Sequence, residues 1–191
     1  MRYREGWLAD AALLRAAALA APQAPVPTCP GWVGRDVVDH VGEVYAHKAA
    51  VLRLGRRPAE GEWPWAPDDD TVFAWFDDRL AELLHELDAR EAADPAWTFL
   101  AADHSVGFWW RRMAHETAIH RVDAEQAAGW DAAVDAAFAA DGIDEKLETY
   151  LPVIARQQPL ERSVTVVLRA DDVGSGWTVT VGDEVTIVRR E

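Results

Sequence analysis

Hydrophobic residues recur with helical spacing over the first four-fifths of the chain. Apolar side chains at i, i+3, i+4 and i+7 are typical of the buried face of an amphipathic helix. This spacing predicts five helices, over residues 5–20, 35–54, 70–90, 104–128 and 132–156. We expect the fifth helix to bend or break near Gly142 and Pro152. The four prolines within residues 21–31 predict an extended, stiff connector between the first two helices.

The pattern changes to alternation of apolar and polar residues after Arg162. Short alternating runs predict three antiparallel strands near residues 164–168, 177–181 and 185–188, with Gly182-Asp183 as a two-residue hairpin turn. Three strands alone are barely stable, so we expect the meander to pack on the helices, to pair with another chain or to be the start of a longer domain. The sequence therefore predicts a mainly α protein. An antiparallel four-helix bundle with one additional helix occupies residues 1–158, and a small three-stranded antiparallel β appendage occupies residues 159–191.

Charge and composition narrow the classes of function. The chain has 191 residues, with 33 Asp plus Glu against 19 Lys plus Arg, and a net charge of −14. Such an excess of negative charge disfavours binding to nucleic acids or to membrane surfaces, so we expect a soluble, cytoplasmic protein whose partners are small molecules. A single cysteine, Cys29, excludes an internal disulfide and a multi-cysteine metal site. Any metal ion therefore has to be held by histidines and carboxylates.

The strongest candidate for chemistry is on the fourth predicted helix, in the run His115-Glu-Thr-Ala-Ile-His120. His115 and His120 diverge by about 140° around a helix, so they cannot bind one ion. Glu116 and His120 are four residues apart and differ by only about 40°, so a carboxylate oxygen and an imidazole nitrogen can converge. His40 lies on the apolar face of the second helix and is the best candidate for a third ligand. This set of two histidines and one carboxylate suits zinc and other first-row divalent ions.

Three other interpretations stay open at this point. Glu43 and His47 have the same i, i+4 spacing and compete as a metal pair. His40 alone is typical of a hydrogen-bonded core histidine, and Glu116 has a salt-bridge partner available in Arg112. If these residues form no metal site, the chain is a structural or partner-binding bundle in which ion pairs neutralise the polar side chains of the fourth helix.

Two separated motifs resemble a known family. The run Val26-Pro-Thr-Cys-Pro-Gly-Trp32, continuing through Asp36-Val-Val-Asp-His-Val-Gly42, and the run Arg112 to Ala124 resemble the mycothiol-dependent maleylpyruvate isomerase family of actinobacteria. Ala140 to Glu145 also resembles this family, and the similarity spans about residues 7–156. The resemblance implies a DinB-like helical bundle with a divalent metal held by His40, Glu116 and His120. The family's second domain is a larger α/β module, of which the three predicted strands are a partial counterpart.

The resemblance also implies a chemistry. In the isomerase the metal is thought to bind and ionise the sulfur of mycothiol, which adds to the substrate double bond, allows rotation and is then eliminated. We therefore expect a thiol-dependent isomerase or S-transferase that uses a divalent ion, with zinc preferred. Trp32 and Trp109 are candidates for the walls of the substrate pocket. The alternative is a non-catalytic, metal-stabilised module that binds or senses a ligand.

Overall fold

The chain is mainly helical in this computed structural model, which describes residues 3–100, 102–182 and 184–190. The helices of the first part are α1 (Arg4–Ala20), α2 (Gly34–Leu54), α3 (Val72–Asp88) and α4 (Val106–Ala127). They are followed by α5 (Ala136–Glu145), a π-helical turn (Lys146–Tyr150), α6 (Leu151–Gln157), and the strands β1 (Val164–Ala170), β2 (Ser175–Val181) and β3 (Val185–Arg190). The predicted fold class, mainly α with a small antiparallel sheet at the end, is confirmed. No helix in the described part of the chain combines the length and apolarity needed to cross a membrane.

Two compact units divide the chain, Met1–Ala133 and Val134–Glu191. This division by packing lies earlier than the boundary expected after residue 158. The reason is that α5, the π-helical turn and α6 share a hydrophobic cluster with the sheet. Its members are Ala140, Ile143, Leu147, Leu151, Ala170, Val173, Trp177, Val179, Val181 and Ile187. The domain assignment of 1–158 and 159–191 stays a prediction.

Helix directions in the first unit follow from pairs of side-chain contacts. Tyr45 packs on Phe76, and further along both helices Arg53 forms an ion pair with Glu82, so α2 and α3 run parallel. Residues 55–71 connect them and are long enough to bring the chain back to the end of α2 from which it started. The antiparallel arrangement expected from the sequence therefore does not hold for this pair. It holds for α2 and α4, whose contacts are described with the candidate site.

A chain of buried hydrogen bonds fixes α4 against α1 and α2. The indole N–H of Trp7 donates to the hydroxyl of Tyr45 at 3.0 Å, and the Tyr45 hydroxyl lies 2.6 Å from the hydroxyl of Thr117. Thr117 in turn donates to the carbonyl of Met113 one turn earlier, at 2.8 Å. Because every polar group in this chain has a partner, the burial of three polar side chains costs little. The face of α4 that carries Glu116 is thereby held in one orientation.

The proline-rich connector is folded into turns and is not extended as predicted. The N–H of Val26 donates to the carbonyl of Trp32 at 2.9 Å, and the N–H of Gly34 donates to the carbonyl of Ala24 at 3.0 Å. Gly31 has a φ of +88°, a backbone conformation that favours glycine and that lets the chain reverse direction here. The prolines stiffen a closed loop, and this loop brings Trp32 back to the beginning of α2.

The sheet of the second unit has the order β1-β2-β3 and is antiparallel throughout. Trp177 on β2 is fully buried and donates its indole N–H to Asp144 of α5 at 2.6 Å. The predicted break in the fifth helix is present as the π-helical turn just before Pro152, because proline lacks an N–H and crowds the preceding turn. The predicted hairpin turn includes Asp183, which lies outside the described residues.

Candidate metal centre

Two antiparallel helices carry the three residues that the sequence singled out. His40 lies in the first half of α2, Glu116 lies at the middle of α4, and His120 follows it one turn later. Two turns further along α2, Lys48 lies over the ring of Trp109, which precedes Glu116 on α4. His40, near the start of α2, instead contacts Glu116, with 3.4 Å between its Nε2 and Oε1 of Glu116. These two contacts show that α2 and α4 run antiparallel.

The three side chains converge on one point. The Nε2 atoms of His40 and His120 lie 3.4 and 3.5 Å from the same carboxylate oxygen, Oε1 of Glu116. One candidate ligand atom from each residue lies within 4.8 Å of the other two. Two ligands that each lie about 2.1 Å from a tetrahedral ion are about 3.4 Å apart, so the observed separations from Glu116 fit a divalent metal. Within residues 3–100, 102–182 and 184–190, this is the single group of three or more such residues close enough to share an ion.

Asp123 orients one of the two imidazoles. The Nδ1 atom of His120 lies 2.9 Å from Oδ2 of Asp123, which occupies the next turn of α4. The other oxygen of Asp123 accepts a hydrogen bond from the hydroxyl of Thr28 at 2.5 Å, and the thiol of Cys29 donates to Oδ2 at 3.8 Å. A proton held on Nδ1 leaves the lone pair of Nε2 free for a metal, as in many histidine sites supported by a carboxylate. Asp123 was not predicted as a functional residue from the sequence, although it lies only three residues after His120.

Arg112 occupies the second oxygen of the same carboxylate. Its guanidinium donates to Oε2 of Glu116 at 2.6 Å and is buried, with 2% of the side chain exposed. The salt bridge considered from the sequence is therefore present, but it leaves Oε1 facing the two histidines. Burial raises the pKa of Glu116, but hydrogen bonds from His120 and His40 and the charge of Arg112 outweigh it and hold the pKa well below its usual range. Glu116 is therefore ionised at neutral pH, as a metal ligand has to be.

His120 carries the opposite shift. Burial lowers its pKa, but hydrogen bonds to Asp123 and Glu116 and the charges of both carboxylates raise it to about 9. Asp123 is shifted to a lower pKa, since its hydrogen bonds with His120 and Thr28 outweigh the effect of burial. Without a metal, His120 is therefore protonated at neutral pH and lies between two ionised carboxylates, and a metal that binds Nε2 has to displace the proton on that nitrogen.

The two candidate pocket tryptophans occupy different places. The ring of Trp32 lies 5.1 Å from that of His40 and is stacked on that of His120, with a centroid distance of 6.1 Å and an angle of 18°. Trp109 is fully buried, and its indole N–H donates to the carbonyl of Trp97 at 2.9 Å. Trp32 thus forms a wall of the candidate centre, whereas Trp109 is part of the buried core on α4. Their assignment as substrate-binding residues stays a prediction.

The competing pair does not form a second centre. Glu43 accepts a hydrogen bond from the backbone N–H of Ala66 at 3.2 Å. His47 instead contacts Lys48, with 3.1 Å between its Nδ1 and the Lys48 Nζ, and packs edge-on against the ring of Trp63. The two side chains therefore have different partners, and among the described residues neither belongs to a group of three or more that could hold an ion.

His115 and Cys29 do not belong to the converging group. His115 is buried and lies against Tyr3, because its side of α4 faces α1. Cys29 has a raised pKa, first because of burial and then because of the charge of Asp123. This shift favours the protonated thiol, which is a poor nucleophile and a poor metal ligand.

Comparison with known proteins gives one match. The family model described as the mycothiol maleylpyruvate isomerase N-terminal domain matches residues 3–125. This range contains α1 to α4 almost in full, with all residues of the candidate centre. Neither the curated proteins nor the solved structures include a significant match.

Proposed function

The chain belongs to the mycothiol maleylpyruvate isomerase N-terminal domain family, and from this premise we propose that it is a metal-dependent protein of thiol chemistry. His40, Glu116 and His120 hold one divalent ion, for which zinc is our first choice. The ion supplies an open position at which a low-molecular-weight thiol, mycothiol in this proposal, has its pKa lowered so that the sulfur is nucleophilic at neutral pH. The reaction class is an isomerisation or an S-transfer.

The observation that carries this proposal is the convergence of three donor atoms from two helices. Two imidazole nitrogens face a single carboxylate oxygen at 3.4 and 3.5 Å. A plain ion-pair network does not need both rings directed at one oxygen, because Arg112 already neutralises the carboxylate at 2.6 Å. Two histidines and one carboxylate also leave a position for an exogenous ligand on a four-coordinate ion, which is the arrangement of catalytic rather than structural zinc sites.

The surrounding residues support the same role. Asp123 holds His120 with Nε2 toward the centre, and Arg112 keeps the second oxygen of Glu116 away from it. Trp32 covers one side of both imidazoles, while His40 keeps 37% of its side chain exposed. The centre is thus partly shielded from water and still accessible to a small thiol.

The first experiment measures metal content. The full chain is purified without a metal-affinity tag, and bound metals are quantified by mass spectrometry. We expect about one divalent ion per chain and almost none in Glu116→Gln. The matched control is Glu43→Gln, which removes the carboxylate of the other i, i+4 pair and keeps the ion. Circular dichroism establishes that both variants are folded. Metal-free wild type, or equal metal content in the two variants, would contradict the proposal.

The second experiment tests the thiol. Cobalt-substituted protein is titrated with mycothiol and with a thiol-free analogue, and the absorption spectrum is recorded. We expect a sulfur-to-cobalt charge-transfer band with the thiol and no band with the analogue. A stable metal protein without this band would instead favour the ligand-binding or sensing module.

A further inference from the structure

The sheet of the second unit has an open edge at β1. This strand pairs with β2 along its full length, and among the described residues no other strand pairs with its outer side. Every residue of β1 before Ala170 is exposed, and Val166 and Val167 have 46% and 61% of their surface accessible. An edge strand presents a row of unpaired N–H and C=O groups, so an exposed apolar edge is a template for pairing with another strand.

The apolar side chains of β1 continue the covered face of the sheet. Residues directly opposite each other on neighbouring strands lie on the same face. Leu168 is opposite Trp177, and Val166 is opposite Val179. Trp177 and Val179 are buried in the cluster that the sheet shares with α5 and α6, whereas Val166 and Leu168 are exposed. The helices therefore cover β2 and leave the same face of β1 open to a partner.

The other edge of the sheet is protected against such pairing. Arg189 of β3 is opposite Trp177 and therefore lies on the covered face. Its guanidinium donates to the carboxylate of Asp144 and lies 5.9 Å from the centroid of the Trp177 ring. Inward-pointing charged residues are one of the devices by which natural sheets avoid edge-to-edge pairing. β1 lacks this device, because its one charged residue, Arg169, lies on the opposite face, and it contains no proline.

We infer that two copies of this chain associate through β1, which pairs with itself across a two-fold axis so that the two sheets become one antiparallel sheet. A strand paired with its own copy in this way is antiparallel, and the same patch serves both partners. Val167 is the middle residue of β1. With Val167 on the axis, Val164 of one copy is opposite Ala170 of the other, so the whole strand is paired. Val166 is then opposite Leu168, and both apolar side chains lose contact with water.

The charges that flank β1 favour this register. With Val167 on the axis, Arg162 before the strand is opposite Asp172 after it, and the two-fold axis forms this pair of opposite charges twice. An axis at Val166 would instead place Glu161 opposite Asp171, and like charges directly opposite are destabilising. The interface involves residues of the second unit alone, so it does not depend on the candidate metal centre.

Sedimentation equilibrium of the full chain over a range of protein concentrations tests the inference. We expect the average mass to rise from that of one chain to that of two. Val167→Glu places two carboxylates opposite each other on the axis and is expected to weaken association by about tenfold or more. A wild type that is monomeric at every concentration, as expected where β1 is covered by a segment of a different protein, overturns the inference.

Val188→Glu is the matched control. Val167 and Val188 are both opposite Thr178 and so lie on the same face, and Val188 is 50% exposed, but it belongs to β3 at the other edge. We expect Val188→Glu to associate within about twofold of the wild type, since its charge lies outside the interface. Circular dichroism establishes that each variant is folded. An equal loss of association in Val167→Glu and Val188→Glu contradicts the inference.

A mixture of two variants tests the register. Val167→Lys alone is expected to weaken association as Val167→Glu does, because two ammonium groups are then opposite each other. An equimolar mixture of Val167→Lys and Val167→Glu is expected to associate, because an ammonium then lies opposite a carboxylate on the axis. With one variant labelled with ¹⁵N, native mass spectrometry distinguishes mixed dimers from dimers of one variant. Absence of mixed dimers, or a Val167→Glu variant that dimerises as tightly as the wild type, overturns the inference.

Discussion

Two Glu and His pairs with the same spacing lie on facing helices and have opposite surroundings. His120, four residues after Glu116, has its Nδ1 against the carboxylate of Asp123 and a pKa raised to about 9. His47, four residues after Glu43, has its Nδ1 against the ammonium of Lys48 and a pKa lowered to about 4. Each histidine also has a tryptophan beside it, Trp32 or Trp63.

The comparison shows that i, i+4 spacing allows a Glu and a His to converge but does not fix the role of the histidine. The charged group that contacts Nδ1 of the histidine fixes that role. An anion at Nδ1 favours a proton there and makes Nε2 a better electron donor toward a metal. A cation at Nδ1 makes the ring a poor base and a hydrogen-bond acceptor. The same i, i+4 spacing thus supplies a candidate metal ligand in one place and a hydrogen-bond partner for a lysine in the other.

The largest expected effect is loss of stability on metal removal. Chelation of the wild type and of Glu43→Gln is expected to reduce the free energy of unfolding by about 4 kcal/mol at free metal near 1000 times Kd. This corresponds to a melting temperature lower by roughly 8–16 °C for a chain of this size. Glu116→Gln is expected to show no further change with chelator. Differential scanning calorimetry measures the melting temperature of the three proteins with and without chelator. An equal decrease in Glu116→Gln and Glu43→Gln would contradict the different roles assigned to the two Glu and His pairs.

The second-largest effect is expected from removal of the Asp123 carboxylate, which contacts Nδ1 of His120. Asp123→Ala is expected to weaken metal affinity by about 10- to 100-fold, because His120 loses the partner that orients its ring. Asp123→Asn keeps a hydrogen-bond acceptor without the charge, and we expect an intermediate loss. Competition with a chromophoric chelator gives the affinities. The idea fails if Asp123→Ala binds metal as tightly as the wild type.

A smaller effect is expected from substitution of Trp32 and Trp63, the tryptophans that lie beside His120 and His47. Trp32→Leu is expected to weaken thiol binding to cobalt-substituted protein by about 3- to 10-fold, since an aromatic contact contributes roughly 0.5–1.5 kcal/mol. Metal content is expected to stay at the wild-type level. Trp63→Leu, beside His47, serves as the control and leaves thiol affinity unchanged. A larger loss of thiol affinity in Trp63→Leu than in Trp32→Leu would indicate that the thiol binds beside His47, which contradicts the proposal.

The smallest effect concerns pH. His47 has a pKa of about 4 in the folded chain against an ordinary value of 6.5, so the unfolded state binds more protons between these values. The stability contributed by neutral His47 is therefore complete above pH 6.5 and is lost as pH falls toward 4. His47→Gln is expected to flatten the stability profile slightly in this window, because the side chain is only half-buried. Urea unfolding at several pH values measures it, and a steeper profile in the variant would contradict this sign.

Helical periodicity alone brought together the candidate ligands, because residues one turn apart on an amphipathic helix share a face. It placed His40 on the apolar side of α2 and Glu116 and His120 on one side of α4. It missed Asp123 as a support for His120, since that role depends on Thr28 and on a folded connector. It predicted packing of the sheet on helices as one possibility, and α5 is one of the helices that cover it. Which helix does so was not predictable, because a helix pattern specifies an apolar face but not the surface that covers it.

The sequence by itself determined the helices, the three strands, the absence of cysteine ligands and the three residues with metal-ligand chemistry. These follow from spacing and composition, which act along the chain. Only the tertiary structure decided which of the two equally spaced Glu and His pairs faces a third candidate ligand. It also decided which charge lies at Nδ1 of each histidine. The physical reason is that pKa shifts, ion pairs and ligand convergence depend on distances of a few ångströms between helices, and these distances come from packing.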